Sequence, residues 1–217
     1  MNRRAIWKCS IGLLVLGLAA APAVEAQLSQ VTWIFGSGLT VPVGTFDDYF
    51  EAGATVRAEA AYPLQDRVDL TFGVDWDHYN SHAYYGTPNL NQWRFQAGLL
   101  ADLLGRRTQG FTVEGQVSAG ASSMSSQEDF WLESGTLGVN LERDRVSFSK
   151  KGFAGSAGLR IRFGGDSRLN GFVGASGNWA QLGADATQVL RDTEPDALDE
   201  LSSATSYTIS AGFTFGP

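Results

Sequence analysis

The chain has 217 residues, a formal net charge of −7 and a charged fraction of 18%, which is low beside the roughly 25% of soluble domains. It contains 26 glycines, and 12% of its residues are aromatic. This composition excludes a disordered chain, a coiled coil and a nucleic-acid-binding protein, since the last requires a basic face. Many glycines and aromatic residues with few lysines are typical of an all-β protein that has tight turns.

The N-terminal segment, residues 1–26, has the three parts of a secretory signal peptide. Basic residues precede an apolar run at residues 11–21, and a small-residue cleavage site ends at Ala26. The apolar run is shorter than the roughly 20 residues that a transmembrane helix needs. We therefore expect export, followed by cleavage to leave a barrel domain over residues 27–217. The single cysteine, Cys9, lies in the expected signal peptide, so no cysteine-based site is expected after cleavage.

Eight segments of the expected mature domain alternate apolar residues with polar or small ones, which is the pattern of a β-strand with two unlike faces. In chain order they begin near residues 31, 53, 68, 92, 111, 153, 169 and 207. In the third segment, for example, Leu70 and Phe72 alternate with Asp69 and Thr71. The seventh, residues 169–180, is rich in glycine, and its inward and outward positions are ambiguous. A tilted strand needs about 9–11 residues to cross a bilayer, which these segments provide.

The connections between the segments alternate in length. Short connections follow the second, fourth and sixth segments, at residues 63–66, 104–109 and 164–168. Longer connections follow the first, third, fifth and seventh segments, at residues 42–52, 79–90, 122–151 and 181–204. Short turns at one end and long loops at the other predict an up-and-down barrel of antiparallel strands, with both termini at the short-turn end.

Alternation alone does not decide which face of the barrel is wet, because a soluble barrel encloses apolar side chains whereas a membrane barrel turns them to lipid. Charged residues occur in mid-strand, lysine is scarce, and aromatic residues such as Trp33, Tyr62 and Phe215 mark strand ends. These features predict an all-β fold, an eight-stranded antiparallel up-and-down transmembrane β-barrel. A soluble barrel or sandwich is the alternative.

The polar face of this barrel is predicted to line a narrow lumen with charges of nearly balanced sign. Eight strands enclose a space that side chains almost fill, and an unpaired charge there is costly, so pairs or networks are expected. Hairpin neighbours should bring Arg57 and Glu59 close to residues 69–75, and strands four, five and six should bring Arg94, Glu114 and Arg160 onto successive neighbouring strands. The network is either a structural core that plugs the barrel or the lining of a narrow pore. Its predicted members are Arg57, Glu59, Asp69, Asp75, Asp77, Arg94, Asp102, Glu114, Arg160 and Arg162.

Three stretches of the chain resemble outer-membrane β-barrel proteins. Residues 36–46, GSGLTVPVGTF, are similar to the first strand and loop of that family, and residues 53–64 to its first periplasmic turn. The last strand is similar to the C-terminal signal that the barrel-assembly machinery reads, although Gly216 and Pro217 follow the final aromatic residue. The residues that carry this signal are Tyr207, Ile209, Gly212, Phe213 and Phe215.

The chain thus resembles the small eight-stranded barrels of the OmpA/OmpX type, a family of anchors, adhesins, narrow pores and a few lipid-modifying enzymes. The resemblance implies the outer membrane of a Gram-negative bacterium as the location. It also implies outer-membrane lipid, lipopolysaccharide and the barrel-assembly machinery as partners.

The residues predict no catalytic, cofactor or metal site. His78 and Ser81 fall on opposite faces of a continuing strand, which disfavours a serine–histidine pair. His78 and His82 could share a face, but no third metal ligand is apparent. Asp75 and Asp77 share the inward face, where lining the lumen is a simpler interpretation than acid–base catalysis.

Acidic residues cluster in two long loops, at residues 47–51 and 192–200, where carboxylates could bridge through divalent cations to lipopolysaccharide. Neither cluster has regular calcium-ligand spacing. The sequence therefore predicts a monomeric outer-membrane barrel with a structural or surface-interaction role, no catalysis and no bound nucleic acid. The alternative function is a narrow porin or transporter for small solutes or ions.

Overall fold

The structure, a computed structural model, describes residues 30–81, 89–105, 110–133, 141–165, 167–183 and 201–216. Eight strands form one closed barrel, in which each strand pairs with the next and the last pairs with the first. They are β1 (Thr32–Val43), β2 (Phe50–Gln65), β3 (Val68–Ser81), β4 (Leu90–Gly105), β5 (Phe111–Glu133), β6 (Leu141–Phe163), β7 (Leu169–Leu182) and β8 (Ser203–Phe215). The predicted eight-stranded antiparallel up-and-down barrel is confirmed. The predicted signal peptide, residues 1–26, lies outside the described residues.

The barrel closes where β8 pairs antiparallel with β1. The register runs from Trp33 opposite Phe215 to Val43 opposite Thr205, along nearly the whole length of both strands. Closure leaves neither terminal strand with an unpaired row of backbone amides, which removes the edge that an open sheet would expose.

The prediction of a long connection at residues 122–151 is wrong. β5 and β6 continue through most of that range as one extended hairpin, and their pairing ends at Glu133 opposite Leu141. β4 leaves β5 at the Asn91–Ser125 pair, and β7 leaves β6 at the Gly152–Leu182 pair. A strand within the barrel has one face toward the lumen and one toward lipid, and this difference produces the apolar alternation of its sequence. Beyond the barrel that difference ends, so backbone pairing continues without the alternation that marks a barrel strand.

The outward face of the barrel is apolar, and the inward face is mostly polar. Leu159 is 57% exposed and Ile209 is 70% exposed, although both lie in mid-strand. Aromatic pairs border this surface: Phe111 lies 6.4 Å from Phe163 at the short-turn end, and Trp76 lies 6.4 Å from Trp93 at the long-loop end, measured between ring centroids. Such an exterior is the reverse of a soluble barrel and matches the apolar band with two aromatic girdles of a membrane barrel.

Two irregularities of the sequence pattern have a clear place in the structure. Ile34 breaks the alternation of β1 because it points inward, where it packs against Ala61 and Phe172. The ambiguous phase of β7 is settled by the same contact, since Phe172 is buried in the lumen and Val173 is exposed outside. Among the described residues, no helix is both long enough and apolar enough to cross a membrane.

We expect Leu99→Arg to lower the free energy of unfolding in a bilayer by about 2–4 kcal/mol, because Leu99 lies midway along the apolar surface. Leu104→Arg, next to a short turn, should cost only about 0–1 kcal/mol because the arginine can reach water. Urea titrations of protein folded in lipid vesicles measure both values. Equal costs for the two variants would contradict the outward facing of Leu99 toward lipid.

Candidate functional site: the charged lumen

The ten charged residues predicted to line the lumen all lie on the inward face of the barrel. Nine are buried, and the side chain of Arg57 is 17% exposed. Hydrogen bonds and ion pairs join eight of them into one charge network, which consists of Arg57, Glu59, Asp75, Asp77, Arg94, Glu114, Arg160 and Arg162. The two interpretations of this network, a structural core and the lining of a pore, both stay predictions.

One half of the charge network lies on β2, β3 and β4. The register places Arg57 directly opposite Asp75, and Asp75 directly opposite Arg94. Arg57 donates from Nε and Nη2 to the two carboxylate oxygens of Asp75, at 2.7 and 3.0 Å. Nη2 of Arg94 lies 3.3 Å from Asp75 and 2.8 Å from Asp77. Alternating charges on three adjoining strands therefore compensate one another, as cross-strand pairs do.

Arg94 is held by charge more than by hydrogen bonds. Its side chain is 1% exposed, and within the described part of the chain none of its three guanidinium nitrogens has a hydrogen-bond partner. The sequence places Arg94 near Glu114 and Arg160, whereas the structure pairs it with the carboxylates of β3 because the register sets them directly beside it.

The other half of the charge network surrounds Glu114, which is 0% exposed. Arg160 lies directly opposite on β6, and its Nε donates to Glu114 Oε2. Nε of Arg162 lies 3.3 Å from the second carboxylate oxygen. Two guanidinium groups thus flank one buried carboxylate, so removing that carboxylate would leave both cations without their partner.

Gln116 joins the two halves across the lumen. Its Oε1 accepts a hydrogen bond from Arg57 at 3.3 Å, and its Nε2 donates one to Glu59 at 2.6 Å. Glu59 also lies 3.8 Å from Nη1 of Arg160. The eight residues comprise four carboxylates and four guanidinium groups, so the charge network is neutral when all are ionised. Sequence reasoning missed Gln116, and its only signal is its place on the polar phase of β5.

Asp69 and Asp102 lie nearer the short turns than the rest of the set. Both are buried, and each has an interaction partner of its own. The backbone amide of Asp102 also donates to the carbonyl of Arg67 at 2.9 Å, which ties β4 to the first short turn.

Below the charge network, the ring of Phe172 packs closely against two glycines. The Arg160 guanidinium is centred 5.6 Å from the ring of Phe172, a cation–π distance. The ring fits because Gly36 and Gly212 have no side chain: a Cβ on Gly212 would lie 2.8 Å from it and 2.0 Å from the carbonyl oxygen of Phe35. Gly212, predicted as part of the assembly signal, therefore also makes room for a residue of the lumen.

Above the charge network lies a layer of neutral hydrogen bonds. The Tyr79 hydroxyl lies 3.2 Å from both Thr40 Oγ1 and Ser206 Oγ, which reach it from β1 and β8. On the other side, Gln92 donates to Ser122 at 2.9 Å. These contacts span the barrel from wall to wall and leave the buried polar groups bonded to protein rather than to water.

An apolar cap fills the mouth at the long-loop end. After β1 a turn of 3₁₀-helix, Gly44–Phe46, folds inward, and Gly44 adopts a positive φ of 67°, which favours glycine. This turn inserts Phe46 into the barrel, 5.1 Å from Phe50 and 4.9 Å from Tyr79 between ring centroids. The cap consists of Phe46, Phe50, Tyr79, Leu90, Met124, Ala154, Ala180, Leu182, Leu201 and Ala204.

The described side chains leave little open space in the lumen. A cavity of about 20 Å³ lies beside Arg57, Gln116 and Phe172, enough for one or two water molecules. Glu114 and Asp77 are 0% exposed, so water has no room beside them. In this conformation the described side chains close the barrel at two levels: the cap with the hydrogen-bonded layer directly below it, which share Tyr79, and the charge network.

Of the predicted assembly signal, Tyr207, Ile209, Phe213 and Phe215 all point outward and are exposed. Phe213 also packs against Phe35 of β1, 5.5 Å away between ring centroids, across the closing seam. Recognition by the assembly machinery stays a prediction.

No group of three or more histidine, cysteine or acidic residues suited to a metal ion occurs among the described residues. His78 lies on the outward face, where its Nδ1 is 3.0 Å from Asn91 Oδ1. His82 and the acidic residues 192–200 lie outside the described residues.

In fold, the chain is similar to Neisserial surface protein A, with a TM-score of 0.53 and 11% sequence identity over 87% of this chain and 98% of that one. It is also similar to a major outer membrane protein from Thermus thermophilus (TM-score 0.47, 11% identity, 85% and 99% covered). A third similar structure is Ail, the attachment invasion locus protein of Yersinia pestis (TM-score 0.44, 12% identity, 85% and 96% covered). No protein-family model matches the chain, and no curated protein matches its sequence. The likeness to the Neisserial protein shows the fold of a small outer-membrane barrel, as the resemblance predicts.

Glu114→Ala should lower the free energy of unfolding by about 3–5 kcal/mol, because it leaves buried guanidinium groups uncompensated. Glu114→Ala combined with Arg160→Met should lose less, and the recovery should be partial because Arg162 still lacks its carboxylate. Asp48→Ala, which removes an exposed carboxylate, is the control and should be nearly neutral. Denaturant titrations of the wild type, both single variants and the double variant give the coupling energy between Glu114 and Arg160. A coupling energy near zero would show that the pair does not stabilise the barrel.

Proposed function

We propose that the protein is an integral outer-membrane β-barrel with a structural or surface-interaction role and no catalytic activity. The inverted polarity supports a position in lipid, because a wide apolar exterior is stable only where it avoids water. The two aromatic borders support the same position, since aromatic side chains collect at the two membrane–water interfaces.

The filled lumen is the observation that favours an anchor over a pore. A conducting barrel needs a continuous wet path, whereas here Arg94, Asp77 and Glu114 are almost completely buried and held in ion pairs. The apolar cap is a second closure, independent of the charges. A narrow porin is the alternative, and it would require both closures to move aside.

The extended hairpin supports a surface-interaction role. Beyond the last rungs that β4 and β7 share with it, β5 and β6 pair with each other through eight further positions, from Ser126–Phe148 to Glu133–Leu141. At roughly 3.3 Å per residue this ribbon is about 26 Å long. The barrel is then an anchor from which a paired ribbon extends on the long-loop side.

Export and assembly complete the proposal. The segment 1–26 serves as a cleaved signal peptide, and the mature barrel over residues 27–217 enters the outer membrane of a Gram-negative bacterium as a monomer. The outward aromatic stripe of β8, with Tyr207, Phe213 and Phe215, is available as a signal for the barrel-assembly machinery before β8 closes on β1.

Expressed from the full chain in a Gram-negative host, the protein should fractionate with the outer membrane and begin at Gln27 by N-terminal sequencing. It should migrate differently on gels before and after boiling, because a closed barrel resists detergent until it is heated. Complete release by a high-salt wash without detergent would contradict the membrane location, since only a peripheral or soluble protein behaves in that way.

Planar bilayer recordings should show no discrete channel openings for the wild type. Phe46→Ala and Glu114→Ala should each stay closed, because each removes one closure and leaves the other. The double variant should open intermittently. Sustained openings of the wild type would overturn the anchor proposal and establish the porin alternative.

A further inference from the structure

One part of the barrel's outer rim combines aromatic, hydroxyl and basic side chains. Two consecutive cross-strand rows on β3 to β6 face outward at the long-loop end, and together they are called the rim patch. The lower row is Trp76, Trp93, Ser123 and Lys151. The upper row is His78, Asn91, Ser125 and Ser149.

The height of the rim patch follows from the register. Phe111 and Phe163 mark the lower aromatic border, and Ser123 and Lys151 lie twelve residues further along the same two strands. With a rise of about 3.3 Å per residue and a tilt near 45°, the rim patch lies roughly 28 Å above that border. The apolar band of a membrane barrel is about 25 Å tall, so the rim patch lies at the level of the lipid headgroups.

A trough runs along β5 from the rim patch into the apolar band. Ala121 forms its floor, directly between Phe95 on β4 and Phe153 on β6, and Ala119 continues the floor one row lower. Both phenylalanines are more than half exposed and form the walls. The backbones of β4 and β6 are two strand spacings, about 10 Å, apart, and the small residues between them leave space for an acyl chain that descends from a headgroup.

The rim patch carries the groups that recognise a phosphorylated sugar. Lys151 is exposed and brings a positive charge to an end of the barrel that carries Asp47 and Asp48 in the first long loop and Glu51 at the start of β2. The face of Trp93, 44% exposed, offers its electron-rich ring to the C–H groups of a sugar. A hydrogen bond of 3.0 Å to His78 holds the side chain of Asn91 in place one row above.

We infer that the rim patch and the trough together bind one phosphorylated glycolipid of the outer leaflet. The phosphate meets Lys151 and Ser123, a sugar ring covers Trp93, and an acyl chain lies over Ala121. This inference rests on the proposed position in an outer membrane and adds to it a single site on one side of the barrel. Near the same end of the opposite wall, the outward residues Val41 and Tyr207 provide no positive charge.

The mature protein, folded into phosphatidylcholine nanodiscs, is titrated with diphosphoryl lipid A and with phosphatidylglycerol, and bound lipid is counted by native mass spectrometry. We expect one lipid A per barrel, bound about tenfold more tightly than phosphatidylglycerol. Lys151→Gln should weaken lipid A binding about fivefold, because one basic residue near a membrane surface strengthens binding to anionic lipid by about that factor. Trp93→Ala should weaken lipid A binding without changing that of phosphatidylglycerol, and Ala121→Phe should weaken both by filling the trough.

Three control variants make comparable changes away from the rim patch, each removing a basic residue, removing an aromatic ring or enlarging an alanine, and should bind lipid A as the wild type does. They are Arg168→Gln in a short turn, Tyr207→Ala at the opposite rim and Ala211→Phe on the outward face of β8. Equal binding of lipid A and phosphatidylglycerol by a folded wild type, or equal losses in test and control variants, would overturn this inference alone. A chain that fails to fold into any bilayer would instead overturn the proposed function.

Discussion

The narrow interior of a closed eight-stranded sheet is the constraint on which the rest of the structure depends. Closure satisfies the backbone amides of β1 and β8, but it also fixes an interior in which charges cannot stay hydrated. A buried carboxylate such as Glu114 is tolerated only beside guanidinium groups at contact distance. Close packing also explains the glycine at position 212, because a Cβ there would collide with the carbonyl oxygen of Phe35 on the neighbouring strand and with the ring of Phe172 in the lumen.

Two physically different closures lie in series within the barrel. The charge network is held by ion pairs in a poorly solvated space, whereas the cap is held by aromatic and aliphatic packing around Phe46. A condition that weakens one does not necessarily weaken the other, since protonation of the carboxylates acts on the charge network, whereas temperature acts more on apolar contacts. Such redundancy is more useful to a stable anchor than to a channel that must open readily.

The exterior is not uniform around the barrel. Most of it is a plain apolar surface, such as the stripe of Leu39 and Ile209 at the seam. The wall formed by β3 to β6 differs, because polar and basic residues adjoin a trough floored by Ala121 and because its hairpin extends beyond the rest of the barrel. The rim patch with its trough, which faces lipid, and the extended β5–β6 hairpin, which faces water, therefore lie on the same side of the barrel.

By itself the sequence determined the strand count, the ten charged residues of the inward face and the proximity of Arg57 to Asp75, because side chains alternate along a strand and hairpin partners are adjacent. Only the tertiary structure decided which residues meet across the lumen. The bridge from Gln116 to Glu59 depends on the stagger of the closed barrel, which no local pattern encodes. The inward turn of Phe46 and the continued pairing of β5 with β6 likewise depend on contacts between distant residues, because a loop and a strand outside lipid lose the apolar period that makes barrel strands recognisable.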